Sequence, residues 1–414
     1  MLPVCAPHRA VVCAAGSGGD VIPFIEIART LAARGVETTL LGPARYRALL
    51  GDPAVSYRSI GGDDVFDDVF NRPEVWTARH GLSESWRYYA EAARTGLTQL
   101  RQGWNPADTV LVSSSFAAAA RLAEELDGFR NLTVHLSPSI VWSARRPPRW
   151  PAASIPPAWP YPVRRMAMSA AEWAFVDPVI KRALNPLRQA RGLAPVSRIF
   201  SRWVHGGQVA YAFPRWFAEP ASDWPQGRFA GFVMPAAARG GLPPELARFT
   251  AAGQSIAVIT AGTAVAERPQ WVKRACEAAV AELYRVVLVS HDPAPIAHPD
   301  VLSLPYVPFD QLLPRAGLLI HHGGIGTMAQ ALAAGVAQLM VPVTHDQPDN
   351  AQRLQSLGAG LQVKPHANVQ EFRHAIRQVR SPATADALWQ LRGKMKLEGG
   401  AAAIAEMALA ADPA

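Results

Sequence analysis

Short apolar runs alternate with longer segments that repeat apolar residues every three or four positions through most of the chain. The short runs are too brief for helices and predict buried strands, whereas the longer segments predict helices with one apolar face. Strands are predicted at residues 9–15, 36–41, 109–113, 131–136, 256–260, 286–289, 317–320 and 338–343. An alternation of strands and helices of this kind predicts an α/β protein built on parallel sheets.

One stretch in the second half adds a cluster of polar side chains to this alternation. Its first strand runs into His321 and His322 and then into a glycine-rich turn at residues 323–327. A run of strong helix formers follows and stops at Gly335, and the next strand ends in the polar loop 345–350. The free N–H groups at the start of such a helix, together with its dipole, predict a binding site for an anion.

Two familiar phosphate motifs do not fit this turn. A P-loop needs Gly-Lys-Ser/Thr, but residues 324–327 read Gly-Ile-Gly-Thr without a lysine. A dinucleotide fingerprint needs an acid for the ribose about 20 residues further on, whereas Asp346 and Asp349 share their loop with His345 and Gln347. Carboxylate, carboxamide and imidazole groups suit a ligand rich in hydroxyls. A plain turn whose glycines only pack is the alternative.

The first predicted strand ends in Gly-Ser-Gly-Gly-Asp at residues 16–20, and a helix with Pro23 in its first turn follows. No acid ends the second strand, so these glycines do not indicate dinucleotide binding. Asp20 stands where the strand hands over to the helix, and it is therefore either an N-cap or a functional carboxylate. To act as a base without a partner, it would need desolvation to raise its pKa.

Length and composition favour two ordered domains. The chain has 414 residues, 49% hydrophobic and 18% charged, which is enough for two separate cores. No apolar run reaches the ~20 residues of a membrane helix, and residues 10–15 are better explained as a strand than as a signal peptide. Three scattered cysteines, Cys5, Cys13 and Cys276, predict neither disulfides nor a zinc site. We therefore expect a cytoplasmic protein.

The positive charge of the chain is concentrated in one segment. Residues 141–202 contain eleven Lys or Arg against only Glu172 and Asp177, a local net charge of +9 in a chain of net +8. Tryptophans and prolines are interleaved with these charges. This composition suits anionic lipid at the cytoplasmic face of an inner membrane, but a solvated arginine face explains it equally well. No motif for nucleic-acid binding accompanies it.

Acidic residues at positions 61–68 resemble a metal site only superficially. The chain contains no Asp-x-Asp, so we interpret these residues as solvated loop acids and expect no metal and no cofactor.

The second-half stretch resembles a known family. His-His-Gly-Gly-x-Gly-Thr from His321, followed by Pro-x-x-x-Asp-Gln-x-x-Asn-Ala from Pro342, resembles the donor motif of nucleotide-sugar glycosyltransferases in the plant and antibiotic superfamily. The resemblance implies the GT-B fold, with two doubly wound Rossmann-like domains facing across a cleft. It places an acceptor domain at 1–233, a linker at 234–244, a donor domain at 245–397 and a helix crossing back at 398–414.

The same resemblance assigns donor-binding residues, which would hold the diphosphate, the sugar hydroxyls and, through the backbone, the nucleobase. His322 would also be catalytic, because it would stabilise the leaving diphosphate. The donor-binding residues are Thr263, Val307, His322, Gly324, Ile325, Gly326, Thr327, Asp346, Gln347 and Asn350.

On the acceptor side, Gly-Ser-x-Gly-Asp-x-x-Pro-Phe from Gly16 resembles the first loop of bacterial members, in which an aspartate deprotonates the acceptor hydroxyl. The resemblance thus makes Asp20 the catalytic base. Plant relatives use a histidine assisted by a distant aspartate, but here the strand at 109–112 leads only into serines. Acceptor contacts are predicted at Ser17, Gly19, Trp142 and Trp173.

Residues 198–203 and 213–220 resemble one branch more narrowly, the rhamnosyltransferases of rhamnolipid synthesis. This implies metal-independent, inverting transfer of L-rhamnose from dTDP-L-rhamnose to a 3-(3-hydroxyalkanoyloxy)alkanoic acid, which would yield a mono-rhamnolipid. A glucosyltransferase using UDP-glucose on a similar acceptor is one alternative. A non-catalytic homologue that binds lipid or activates a partner is another.

Overall fold

The computed structural model describes residues 7–77, 80–150, 154–238, 240–251, 253–262, 268–290, 292 and 296–410. The chain divides into two compact units. The first comprises Met1–Pro235 and Gly399–Ala414, and the second comprises Ala236–Glu398.

The first unit is built on a parallel sheet of seven strands in the order β3-β2-β1-β4-β5-β6-β7. Its strands are β1 (Arg9–Cys13), β2 (Glu37–Gly42), β3 (Val55–Ser59), β4 (Thr109–Ser114), β5 (Arg130–His135), β6 (Gln208–Tyr211) and β7 (Arg228–Phe229). Successive side chains of β1 enter two different cores, with Val11 and Cys13 on one face and Ala10 and Val12 on the other. Burial on both faces explains why the strand is a continuous apolar run.

Helices cover both faces of this sheet. They are α1 (Gly18–Ala33), α2 (Arg47–Leu50), α3 (Asp63–Phe70), α4 (Gly81–Gly103), α5 (Ala118–Asp127), α6 (Tyr161–Ala171) and α7 (Asp177–Gln189). A π-helical segment, Glu172–Val176, joins α6 to α7. Short 3₁₀ turns lie at Ala44–Tyr46, Pro73–Trp76, Pro138–Ile140 and Trp203–His205.

The second unit has a parallel sheet of six strands in the order β10-β9-β8-β11-β12-β13. These strands are β8 (Ile256–Thr260), β9 (Arg285–Val289), β10 (Val301–Leu304), β11 (Ala316–His321), β12 (Ala337–Met340) and β13 (Gly360–Gln362). The helices are α8 (Pro244–Thr250), α9 (Gln270–Ala281), α10 (Phe309–Leu312), α11 (Ile325–Ala334), α12 (Gln347–Ser356), α13 (Val369–Val379) and α14 (Pro382–Met395), with a 3₁₀ turn at Leu313–Arg315.

The last helix, α15 (Gly400–Leu409), returns to the first unit. Its Ile404 and Ala405 share a core with α1 residues such as Phe24. The backbone N–H of Gly400 donates to the carbonyl of Ala230 at 2.7 Å. The chain therefore leaves the first unit and re-enters it at neighbouring positions.

Both sheets have the doubly wound strand order, so the predicted fold class is confirmed. In each sheet the strand order reverses between the first strand and the fourth, which are β1 and β4 in one unit and β8 and β11 in the other. Ligands of such sheets bind at the carboxyl ends of these two strands. The segments that follow these four strands are therefore the first candidates for a ligand site.

Some local expectations were wrong. Pro23 lies well inside α1, which starts earlier than expected at Gly18, and the acids near residue 64 lie in α3 instead of a loop. Asp67 pairs with Arg45, and Asp68 pairs with Arg72. Among the described residues, no helix is long and apolar enough to cross a membrane.

Candidate functional site

The glycine-rich turn lies at the carboxyl end of β11. Gly323 has φ +92, and a Cβ there would lie 3.2 Å from the carbonyl oxygen of Gln347. Gly324 is the N-cap of α11, whose first N–H groups have no acceptor within the helix. Gly326 is exposed, and a Cβ on it would meet nothing within 4 Å. The backbone at this helix terminus is thus open to a ligand.

His322 sits in a slot between two glycines. A Cβ on Gly324 would lie 2.4 Å from His322 Nε2, and a Cβ on Gly262 would lie 2.8 Å from Cε1 of the same ring. Because Gly262 follows β8 and His322 follows β11, the ring stands at the point where the strand order reverses. Among the described residues, no hydrogen-bond partner is found for the buried Nδ1 atom.

Burial lowers the pKa of His322 to about 4, and the nearby backbone carbonyl of Thr260 only partly offsets this effect. The ring is therefore neutral at neutral pH and carries one N–H. Its Nε2 edge borders the space that the glycines leave open.

His321 has a structural role that the sequence did not reveal. Its Nδ1 accepts a hydrogen bond from the Gly323 N–H at 3.2 Å, and Nε2 lies 3.1 Å from Oε1 of Gln338. The Gln338 carboxamide in turn donates to the Met328 carbonyl at 3.3 Å. Burial lowers the pKa of His321 to about 3, so this ring is also neutral. The buried His321 ring therefore holds the glycine turn in place through its hydrogen bond with the Gly323 N–H.

The polar loop after β12 packs directly against the turn. Asn350 is fully buried, and its side-chain amide donates to Asp346 Oδ2 at 2.7 Å and to the Gly323 carbonyl at 3.2 Å. Gln347 Oε1 accepts from the N–H groups of Val343 and Thr344 at 2.9 and 3.1 Å. Asn350 therefore connects loop and turn, while one end of the Gln347 carboxamide is already used to shape the loop.

His345, in the same loop, adopts φ +55, which is uncommon for a residue with a side chain. Backbone strain of this kind tends to be retained where a loop must hold a particular shape. Two other predicted donor residues are less informative. Val307 is buried in the core beside α10, which leaves only its backbone for a ligand, and Thr263 lies outside the described residues.

In the first unit, Asp20 lies near the start of α1 beside the carboxyl end of β1. Its Oδ2 accepts hydrogen bonds from the backbone N–H and the hydroxyl of Ser17, at 2.9 and 3.0 Å. Ser17, not Asp20, is the N-cap of the helix. A Cβ on Gly16 would lie 2.5 Å from the same oxygen, so only glycine leaves room for the carboxylate. The predicted acceptor residue Gly19 is exposed beside it.

Two tyrosines lie near Asp20. The sequence indicates for Tyr89 only an aromatic-rich helix at residues 76–104 that suits an acceptor wall or core packing equally well, and it does not single out Tyr46. Burial raises the pKa of Tyr46 to about 12, with Asp20 adding to the shift. Burial also raises the pKa of Tyr89 well above its ordinary value, and Asp20 is the largest charged contributor. Both phenols therefore stay protonated and can donate. No spacing in the sequence ties them to Asp20, because they come from distant segments.

The serines after β4 form a second polar group at the same sheet edge. Ser115 Oγ lies 2.8 Å from His135 Nδ1, and His135 Nε2 lies 2.9 Å from His205 Nδ1. Burial lowers the pKa of both histidines, that of His205 to about 4. Ser115, His135 and His205 thus form a neutral chain of hydrogen bonds at this edge of the sheet.

The predicted acceptor tryptophans differ in environment. Trp142 is half-buried, stacks on Trp150 with ring centroids 4.6 Å apart, and donates through Nε1 to the Met168 carbonyl at 3.0 Å. Trp173 is 73% exposed on the π-helical segment. Across the described residues, no group of three or more His, Cys, Asp or Glu side chains is arranged to hold a metal ion.

Comparison with known proteins matches this architecture. Residues 281–409 fit the family model of the erythromycin biosynthesis protein CIII-like C-terminal domain. Over 95% of this chain and 94% of the relative, the sequence is 28% identical to O-mycaminosyltylonolide 6-deoxyallosyltransferase of Streptomyces fradiae. The chain is thus similar in sequence to a glycosyltransferase over nearly its whole length, and it has the two-sheet fold of the GT-B glycosyltransferases.

Two solved structures have the same fold as this chain. The glycotransferase of kitacinnamycin superposes with a TM-score of 0.75 at 18% identity, covering 97% of this chain and 98% of that one. The spinosyn rhamnosyltransferase SpnG, complexed with thymidine diphosphate, gives a TM-score of 0.66 at 19% identity and covers 96% and 99%. At these identities the likeness establishes the fold alone.

Proposed function

We propose that this protein is an inverting, metal-independent glycosyltransferase that moves a sugar from a nucleoside diphosphate to a hydroxyl group of an apolar acceptor. One observation carries the proposal: at the reversal point of the second sheet, a helix N-terminus opens onto a glycine turn that holds the neutral His322 ring in a slot. Amide hydrogens and a neutral imidazole are suitable donors to a diphosphate.

In the proposed reaction, Asp20 takes the proton of the acceptor hydroxyl while the oxygen of that hydroxyl attacks the anomeric carbon of the sugar. Attack from the side opposite the diphosphate inverts that carbon. Charge then grows on the leaving diphosphate, and the N–H groups of residues 324–327 together with His322 stabilise it. These donors take the place that a divalent cation fills in other enzymes, and no cofactor is required.

The polar loop would hold the sugar. Of the two acids in this loop, Asp349 pairs with Arg353, whereas the carboxylate of Asp346 accepts a hydrogen bond at 2.7 Å from Asn350, which also donates to the Gly323 carbonyl. Asn350 would therefore act on the sugar through Asp346. Gln347 has its Oε1 committed to Val343 and Thr344, so only its side-chain amide remains for a hydroxyl.

The donor we propose is dTDP-L-rhamnose and the acceptor a 3-(3-hydroxyalkanoyloxy)alkanoic acid, which would give a mono-rhamnolipid. The resemblance at residues 198–220 supports this choice, and the thymidine diphosphate held by the spinosyn rhamnosyltransferase is consistent with the nucleotide. UDP-glucose remains the competing donor. The name of the Streptomyces fradiae relative points to a glycosylated macrolide as a competing acceptor.

The decisive experiment measures nucleotide release from dTDP-L-rhamnose and from UDP-glucose, with the hydroxyalkanoyloxy acid and with a glycosylated macrolide as acceptors. Release from dTDP-L-rhamnose only when the lipid is present is the expected result. Release from UDP-glucose but not from dTDP-L-rhamnose would overturn the proposed donor. Release with the macrolide but not with the lipid would overturn the proposed acceptor.

Asp20→Asn separates an enzyme from a non-catalytic binding homologue. Loss of the base should lower kcat by roughly 10²- to 10⁴-fold, while the Kd for dTDP measured by calorimetry stays unchanged. Asp386→Asn is the matched control, because Asp386 is an exposed carboxylate on α14. Turnover by Asp20→Asn equal to that of Asp386→Asn would remove Asp20 from the role of base.

A further inference from the structure

The basic, tryptophan-rich segment folds into one continuous helix. Helix α6 passes through the π-helical segment directly into α7, so that residues 161–189 are helical throughout. The N–H of Asp177 reaches back to the Glu172 carbonyl, five residues earlier. Pro178 has no N–H to continue the regular ladder, which favours the wider turn at this point.

The outward side of the first half of this helix is apolar. Val163, Met166, Ala170 and Trp173 follow one another at spacings of three, four and three residues and therefore lie on one face. Met166 is 69% exposed and Trp173 is 73% exposed. Phe175, in the π-helical turn, is 74% exposed. Surface helices ordinarily turn such residues inward, so a contiguous apolar face of this kind marks a contact surface.

Charge on this surface has one sign, because the two acids of the segment point inward. Glu172 accepts from the N–H and the hydroxyl of Ser201 at 2.8 and 2.6 Å, and only 3% of its surface is exposed. Asp177, equally buried, accepts from the N–H groups of Arg198 and Ile199 at 3.0 and 3.1 Å. The acids are thus removed from the exposed face.

Arg165 and Arg182 remain on the exposed side of the same helix. Neither forms an ion pair with an acidic side chain of the described part of the chain. Arg145 lies with its guanidinium 4.5 Å above the Tyr161 ring at the start of the helix. Aromatic and aliphatic side chains flanked by unpaired arginines match the boundary between the acyl chains and the head groups of an anionic bilayer.

We propose that the face formed by Val163, Met166, Trp173 and Phe175, with Arg165 and Arg182, docks the protein onto an anionic lipid bilayer. A second copy of the chain is a poorer occupant, since a two-fold contact would place the same uncompensated arginines against each other. An anionic bilayer supplies both the apolar depth and the opposite charge.

Behind the face, a row of aromatic rings runs from the buried side of α6 toward Asp20, and the use we give it rests on the proposed function. Trp142 bonds to the backbone of α6 at Met168 and lies 5.7 Å from Phe200, which lies 6.2 Å from Phe116. Phe116 stacks on Tyr89 at 5.2 Å, and Tyr89 senses the charge of Asp20. An amphiphilic acceptor leaving the bilayer would find an apolar wall along this row.

The test is co-sedimentation of the full-length protein with vesicles of phosphatidylcholine alone or mixed with phosphatidylglycerol, at low and at high salt. We expect binding to the mixed vesicles, weakened by salt. Arg165→Gln/Arg182→Gln should lower this partitioning by roughly thirtyfold, at about 1 kcal/mol per arginine. Met166→Ser/Phe175→Ser should lower it by roughly tenfold.

Matched controls come from the second unit. Trp389 is 79% exposed on α14, and Arg248 is exposed on α8. Trp389→Ser and Arg248→Gln should bind vesicles like the unaltered protein. Absence of vesicle binding, or equal losses in control and test variants, would overturn the proposal. So would binding in which Met166→Ser/Phe175→Ser changes only self-association in sedimentation velocity, because a second copy would then cover the face.

Nucleotide release with a short-chain, water-soluble hydroxy acid distinguishes this failure from failure of the proposed function. Met166→Ser/Phe175→Ser should retain release with the soluble acceptor while losing vesicle binding. If the unaltered protein binds vesicles but releases no nucleotide with any acceptor, the bilayer proposal stands and the enzymatic one falls. If the protein releases nucleotide but does not bind vesicles, the enzymatic proposal stands and the bilayer proposal falls.

Discussion

The two sheets have the same strand order but opposite chemistry at the point where that order reverses. In the first unit this edge carries the Asp20 carboxylate, which Ser17 holds by two hydrogen bonds. In the second unit it carries a neutral imidazole between two glycines and the free N-terminus of α11. The comparison teaches that the same strand order can present a carboxylate in one unit and N–H donors in the other, and that a few turn residues set this difference; in the proposed function the first accepts a proton and the second binds an anion.

The two units are alike in that each contains a pair of buried histidines. These pairs predict the largest effect, which is on the pH dependence of stability. Burial lowers the pKa of His321 to about 3 and of His322 and His205 to about 4, and it also lowers that of His135. Because these folded-state values lie below the ordinary pKa of about 6.5, the unfolded chain binds protons first as the pH falls. The free energy of unfolding should therefore have its full value above about pH 6.5 and should fall by several kcal/mol as the pH is lowered toward 4.

Urea unfolding at a series of pH values checks this prediction in both units. His374→Gln is the control, because His374 is exposed and should leave the pH profile unchanged. A flat stability profile between pH 6.5 and pH 4 would show that the buried histidines are hydrated or charged.

His322→Ala tests the anion-binding half of the comparison. Loss of one donor to the leaving group should lower kcat by about 10²- to 10³-fold and weaken dTDP binding, while the free energy of unfolding changes little. The comparison with Asp20 becomes sharper if dTDP affinity falls in His322→Ala but not in Asp20→Asn. Equal affinities in the two variants would contradict it.

His321→Ala should show the reverse split. Removing this ring leaves the Gly323 N–H and the Gln338 Oε1 without their His321 partner and creates a cavity, which should cost about 2–3 kcal/mol of stability. Denaturant titration measures that loss. Nucleotide affinity at low temperature, where the variant remains folded, should fall less than in His322→Ala.

Gly324→Ala gives the smallest effect. Its new Cβ would lie 2.4 Å from His322 Nε2, so the ring must move, and we expect dTDP affinity to fall roughly tenfold. Gly393→Ala is the control, since its Cβ would meet nothing within 4 Å. Unchanged affinity in Gly324→Ala would mean that the ring position does not matter for nucleotide binding.

The sequence predicted the elements whose apolar pattern is complete within a few residues. The β8 strand was predicted with its observed bounds, and the glycine turn was predicted at 323–327, although α11 already begins within it at Ile325. Both depend on local chemistry, namely an apolar run and a set of glycines. The doubly wound fold follows from that alternation, and the motif at residues 321–351 made the family resemblance specific.

The helix at residues 161–189 was missed because its pattern of apolar and polar residues differs from that of an ordinary surface helix. Pro178 and Pro186 argue against a helix, and the apolar residues of α6 face outward, so the usual inward stripe is lacking. Arg188 was counted with a solvated face, but it is buried and pairs with Glu125. That partner comes from α5, a pairing that no local pattern encodes. The role of Gln347 in its own loop was missed for a different reason: its partners are the backbone N–H groups of Val343 and Thr344, which leave no mark in the pattern of side chains.

The hydrogen bond between Gly400 and Ala230 has a practical consequence for protein engineering. Because exit and re-entry of the chain are adjacent, the whole segment Ala236–Glu398 is a single insertion with closely spaced ends. Such a cassette can be exchanged for that of a relative through two nearby junctions without cutting α15 away from α1. If the proposed function holds, chimeras of this kind would transfer the nucleotide-sugar preference of the relative while keeping the acceptor preference of the recipient.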